Sequence, residues 1–324
     1  MSWKEAQLIR TISDQSGPVA SLAISPDGQK LASGSCDATV KIWHLQTGER
    51  IHNLFGYPLG VNAVAISPDG QILAIGSPDG TIDLWHLETG ELKRSLFSQG
   101  WVTDISFSPD GQILATGSDE SLFDTIFSTP NSENQSQIEE ERDSTIKIWN
   151  LLTGKRFLQL WDLSPSVNAI AFSPNGKNLA SAGRDKIIKI WQLGSGKIIT
   201  TFTGHSEAIY AIAISPDGQI LTSGSGDGTI KLWNINTQEN ITTINKHTDV
   251  VYCLAISPDG EILASGSGDG TIKLWNLNTQ EEINSFIGYS KQPHSVTDLT
   301  FSPNGQILAS GSGDGTIKIW QKNS

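Results

Sequence analysis

Two groups of side chains in this 324-residue sequence have the composition of a catalytic triad: Asp227 with His205 and Ser223, and Asp269 with His247 and Ser265. A carboxylate that orients an imidazole, which takes the proton of a serine hydroxyl, would carry out nucleophilic acyl transfer. The two groups are copies of each other 42 residues apart, and their aspartate recurs as Asp37, Asp79, Asp143, Asp185, Asp227, Asp269 and Asp314. A set repeated with a structural period, on hydroxyls expected to be buried, reads as framework, and no catalytic residue is assigned. His44, His52, His86 and His294 show no metal-ligand spacing such as His-Glu-x-x-His, so no metal or cofactor is expected. The Ser-Gly-Ser-Gly-Asp-Gly stretches lack the following helix and the Lys-Ser/Thr ending of a phosphate cradle, and read as hairpin turns.

What positions these side chains is a repeat. A turn of Ser-Pro-Asp/Asn-Gly opens at Ser25, Ser67, Ser108, Ser173, Ser215, Ser257 and Ser302, with gaps of 42, 41, 65, 42, 42 and 45 residues. Each turn leads through an apolar run, a Gly-Ser step and the aspartate to Ile/Val-x-Ile/Leu-Trp, ending at Trp43, Trp85, Trp149, Trp191, Trp233, Trp275 and Trp320. Proline presets the turn backbone and glycine accepts its positive φ, so the hairpins are locally encoded. A period near 42 with four short strands per unit predicts propeller blades. In the fifth copy the strands are expected at 209–214, 220–224, 229–233 and 240–244. Small residues such as Ala211-Ile212-Ala213-Ile214 suit the crowded ring centre, and Trp and Ile suit the wider gaps between blades.

The stretch from Ser257 to Trp275, Ser-Pro-Asp-Gly-Glu-Ile-Leu-Ala-Ser-Gly-Ser-Gly-Asp-Gly-Thr-Ile-Lys-Leu-Trp, resembles a WD40 repeat, and the resemblance covers essentially the whole chain. It implies an all-β, seven-bladed β-propeller of four-stranded antiparallel blades, similar to the highly regular bacterial arrays. The naming Trp-Asp pair is replaced by His44, His86, Asn150, Gln192, Asn234, Asn276 and Gln321 after the tryptophans, where the chain enters a turn outside the core. The resemblance also implies a buried hydrogen-bonded chain, carried over to His205, Ser223, Asp227 and Trp233, and to His247, Ser265, Asp269 and Trp275. Gln15, Tyr57, Leu163 and Tyr289 stand at the histidine position in other copies, and Ile75 replaces the hydroxyl of the second. Blades five and six are therefore expected to be stiffest, and blade two to depend most on apolar packing.

Residues 7–12 resemble a fourth strand and Trp320 ends a third, so the N-terminal strand is expected to complete the last blade and cover its edge. Residues 1–324 then form a single domain, with an acidic insert over 119–141 in blade three that carries seven acids and no base. The insert is either a tolerated expansion or a lid in which Glu139, Glu140 and Glu141 cover Arg142 and Arg184. Asp104 and Asp298 interrupt the small-residue inner strands and are expected to be single buried or channel-lining carboxylates held by neighbouring hydroxyls.

The balance of 22 basic and 34 acidic residues, net −12, argues against a nucleic-acid partner. The N-terminal residues show no signal-peptide pattern and no stretch approaches a membrane span, so a cytoplasmic protein without a membrane partner, a monomeric propeller alone or within a complex, is expected. Cys36 and Cys253 make no disulfide framework, and Cys253 reads as a small core residue.

The family uses one loop face for partners. Aligned positions on that face are Asn62, Thr103, Asn168, Tyr210 and Tyr252 before the turn serines, Trp101 two residues earlier, and Arg142 and Arg184 before the turn aspartates. Trp, Tyr and Arg dominate protein-binding hot spots, so this crescent, with Trp161 and Tyr57 beside it, is the expected site for a protein or peptide partner. The expected function is a non-catalytic interaction scaffold. Two alternatives stay open: a propeller enzyme or small-molecule binder at the central channel, and a structural subunit that uses its blade rims.

Overall fold

The computed structural model describes residues 2–119, 146–160, 164, 166–289 and 295–323. Arg142, Asp143, Trp161, Leu163, His294 and the insert beyond Asp119 lie outside the described residues.

Every blade starts from the same locally encoded hairpin. In the first, the Gly28 N–H donates to the Ser25 carbonyl at 2.8 Å with Gly28 at φ +69°, a left-handed conformation that glycine adopts freely. The Ser25 hydroxyl donates to Asp27 and accepts the Lys30 N–H at 2.9 Å. The serine is 1% exposed, so its two bonds satisfy a group that would otherwise be buried unpaired. The same contacts recur at each of the other six turns.

Seven four-stranded antiparallel sheets result. Blade five runs outward through Ile209–Ile214, Ile220–Ser225, Ile230–Asn234 and Glu239–Ile244. The innermost strands, Val19–Ile24, Ala63–Ile66, Trp101–Phe107, Val167–Phe172, Ile209–Ile214, Val251–Ile256 and Val296–Phe301, neighbour one another in that order, and the last returns to the first. Side chains alternate across a strand, which explains the Ile-x-Ile-Trp ending. Ile188 and Ile190 of blade four face Trp233 of blade five, whereas Trp191 faces Ile146 and Ile148 of blade three. This pattern passes round the whole ring, through Trp43 on Ile317 and Ile319 at the closing seam. Truncating one such buried tryptophan to alanine costs about 3–5 kcal/mol.

The N-terminal strand Ser2–Ile12 pairs with Ile317–Asn323 and supplies the fourth strand of the last blade. It begins well before the expected residue 7. Trp3 is 2% exposed and meets Phe301 edge-on at 5.4 Å, and its carbonyl accepts the Asn284 side-chain N–H at 3.0 Å. In the first six blades the residue after the tryptophan serves the next turn. Asn150 and Asn276 accept turn N–H groups at 2.9 Å, and His44 does so at 3.2 Å. Any side chain with a short-range acceptor fits there, which accounts for the absent Trp-Asp pair.

Candidate functional site

The recurring polar side chains close on one another inside the blades. His205 Nδ1 lies 3.0 Å from Asp227, its Nε2 lies 2.8 Å from Ser223 Oγ, and the Trp233 indole donates to the same hydroxyl at 2.9 Å. His247, Asp269, Ser265 and Trp275 repeat these distances. The arrangement has triad geometry, yet Ser223 and Ser265 are 0% exposed and each already receives an indole N–H, so no substrate carbonyl reaches them. Burial lowers the His205 pKa against the pull of Asp227. Burial also opposes ionisation of Asp227, but the Thr229 hydroxyl, the Ser206 and Thr229 N–H groups and His205 outweigh it and bring the carboxyl down to about 2.

Blade two departs from the expectation of reliance on apolar packing. Its second strand offers Ile75 where other blades have a hydroxyl, and Tyr57 substitutes for both missing partners. The Tyr57 hydroxyl accepts the Trp85 indole N–H at 2.8 Å and donates to Asp83 at 3.1 Å, because a phenol reaches farther than an imidazole. In blade seven the Tyr289 hydroxyl contacts Ser310, which accepts the Trp320 indole N–H at 3.0 Å.

The third-strand lysine, one residue after the first Ile/Val of the ending, adapts in the same way. Where histidine is absent it turns inward: Lys147, 0% exposed, donates to the Gln99 carbonyl at 2.7 Å, and Lys189 meets Asp185 at 2.6 Å. Lys41 donates to the Asp14 carbonyl, and Lys318 donates to the Gly288 carbonyl with its ammonium 4.5 Å from the centre of the Tyr289 ring. In blades five and six, where histidine fills that space, Lys231 bonds Thr243 at 2.9 Å and Lys273 bonds Ser285 at 3.2 Å on the fourth strand. The periodic lysine was visible in sequence; its two destinations were not.

What differs from blade to blade gathers at one end of the channel. A mouth of about 350 Å³ is lined by Asn62, Thr103, Asn168, Tyr210, Tyr252 and Thr297, among others. Three of the expected partner residues also tie blades together there. Asn62 donates to Val102 O at 3.0 Å, Asn168 to Ile209 O at 2.8 Å, and Thr103 to Val167 O. Thr297 makes the equivalent bond across the closing seam, to Val19 O at 2.6 Å. These polar groups lace four of the seven inner strands to the next, and sequence reasoning had no spatial cue for it.

Tyr210 and Tyr252 are different. They are 39% and 37% exposed, and their rings meet edge-on at 5.5 Å and 69°. Arg184 pairs with Asp119 at 3.3 Å, and Asp119, placed by sequence in the insert, instead ends the second strand of blade three at 3% exposure. Trp101, paired in register with Asp119, is partly buried, and its indole N–H is shielded with no hydrogen-bond partner among the described residues. Trp101 does not line the mouth.

Below the mouth a space of about 210 Å³ is lined by Asp104 and Asp298. Asp104 accepts the N–H groups of Ile105 and of Ile170 in the next blade, each at 2.8 Å. Asp298 accepts Leu299 N–H at 2.8 Å and, across the seam, Leu22 N–H at 2.6 Å. The expected neighbouring hydroxyls are therefore largely replaced by backbone donors. Burial pushes the Asp104 carboxyl up to about 7 and that of Asp298 up to about 6, in spite of these donors. The opposite end of the channel carries Phe107, Phe172 and Phe301 on its wall.

The family profile described as "WD domain, G-beta repeat" matches residues 6–44, 48–86, 90–123, 158–192, 196–234, 238–276 and 281–321. The chain belongs to the WD40 repeat family. Propellers of this family are typically protein-interaction scaffolds. A WD40 relative, "WD repeat, SAM and U-box domain-containing protein 1" of Danio rerio, is 48% identical over 48 residues, 15% of this chain and 10% of that protein. The matched stretch thus spans about one repeat and a tenth of the relative's length.

Proposed function

We propose that this WD40 propeller is a non-catalytic platform that holds a peptide segment or protein surface against the channel mouth on the loop face. One observation carries the reading: the repeated polar groups are engaged inside the blades and between them, while the Tyr210–Tyr252 pair stands exposed and specific to two adjacent blades. Exposed aromatic pairs at a concave opening supply the rigid contact area of binding hot spots. Arg184, half-exposed on the neighbouring blade, extends the surface. Affinity capture from the native host, with wild type and an Arg184→Ala/Tyr210→Ala/Tyr252→Ala variant, tests the proposal. A partner retained by wild type and lost by the variant is the expected result. A partner that survives this variant but is lost with Phe55→Ala/Phe97→Ala, which removes side chains 65% and 60% exposed on outer strands, would move the function to the rims.

A further inference from the structure

We infer that the channel mouth beside blades five and six is a receptor for a basic side chain, lysine or arginine, presented by the bound segment. The inference rests on the loop-face reading above and names the chemistry of what that face receives. The two tyrosine rings form its rim. Each lies over a glycine of its own blade: a Cβ on Gly226 would come within 3.4 Å of the Tyr210 ring, and one on Gly268 within 3.3 Å of the Tyr252 ring. A cation beside a phenol ring is attracted by its quadrupole, and the alkyl stem of lysine or arginine covers the ring's apolar surface. The loops that lead into these two blades add Glu207 and Asp249 next to the same glycines.

Deeper in the same passage stand Asp104 and Asp298, and among the described residues no lysine, arginine or histidine lines it. Their described hydrogen-bond partners include two backbone N–H groups each and no cation. A carboxylate withdrawn from water without a cation is costly, and in the free protein a proton answers that cost, since burial raises both carboxyls toward neutrality. An ammonium or guanidinium that descends past the tyrosine pair would take the proton's place. The other titratable groups in the passage are the carboxylates themselves, the two tyrosines and the buried Cys253 thiol near Asp298. Affinity for a basic side chain should accordingly rise between pH 5.5 and 8 as the carboxyls lose their protons.

Capped pentapeptides Gly-Gly-X-Gly-Gly, with X lysine, arginine or norleucine, are the probes, titrated by NMR into wild type, Tyr210→Ala/Tyr252→Ala and Asp104→Asn/Asp298→Asn. Expected are at least roughly tenfold tighter binding of lysine or arginine than of norleucine, an affinity that increases with pH, and loss of the preference in the tyrosine variant. The Asp-to-Asn variant should bind the basic peptides more weakly and without the pH rise. If it fails to fold, the exposed tyrosine variant still decides the matter. Equal binding of norleucine, no binding of any peptide, or a preference that survives the tyrosine variant overturns the inference. A captured partner lost with the Arg184/Tyr210/Tyr252 variant alongside any of those results would leave the platform reading standing and remove this one.

Discussion

One lysine position serves two purposes, and the neighbouring side chain decides which. Lys147 ends on the Gln99 carbonyl inside blade three, whereas Lys231, excluded by His205 in blade five, ends on Thr243 at the sheet surface. A buried hydrogen bond from a charged donor is worth about 1.5–3 kcal/mol. Lys147→Met should therefore destabilise the fold by about that amount, and Lys231→Met by less than about 0.5 kcal/mol. Urea denaturation of the two variants measures the difference, and equal losses would refute the idea that lysine replaces the absent histidine. Tyr57 makes the same point in blade two: the residue at one position changes, and the tryptophan indole still finds an acceptor.

At the scale of strands, most of the ring forms from hairpins close in sequence, and the last blade is the exception. It takes Ser2–Ile12 from the opposite end of the chain, with Ile12 beside Ile317 and Leu8 beside Trp320. Without that strand the third strand Ile317–Asn323 becomes a bare edge, and Trp3 no longer covers Phe301. Exposed edges of this kind pair with other chains. Removal of residues 1–12 should lower the melting temperature by 10 °C or more, on the order of several kcal/mol for a domain of this size, or drive aggregation. Calorimetry and size-exclusion chromatography on the truncated chain check this. An unchanged monomeric melt would mean that the ring closes by other contacts.

Across the whole molecule, proton binding acts in two opposite directions. Asp227 and Asp269 have lowered carboxyl pKa values, so their stabilising contribution is present above the ordinary carboxylate range and is lost as the pH falls through it. Asp104 and Asp298 are raised to about 7 and about 6, so their contribution is full at acid pH and is lost as the pH rises through those values. His205, with a lowered pKa, loses its contribution as the pH falls below the usual imidazole range, in partial opposition to the channel pair. The difference between wild type and Asp104→Asn/Asp298→Asn isolates that pair. The melting temperature of wild type should decline relative to the variant between about pH 4 and 7, and parallel curves would show that the channel carboxyls titrate normally.

The repeat was legible without coordinates because its causes are local. Ser25-Pro26-Asp27-Gly28 closes its own turn, alternation assigns Ile188 and Ile190 to one side of a strand and Trp191 to the other, and seven copies in register leave one way to arrange the blades. The hydrogen-bonded set around Trp233 was expected from the resemblance to WD40 repeats, and its members close on one another as that resemblance implied. Residues from separate blades meet only when the ring closes, and there the linear chain was silent. The lacing by Asn62, Thr103 and Asn168, the meeting of Asp298 with Leu22 across 276 positions, and the contact of the Tyr210 and Tyr252 rings over their glycines all depend on the angle between one blade and the next. That angle is set by tryptophan packing between sheets, a property of the assembled ring that no single repeat contains.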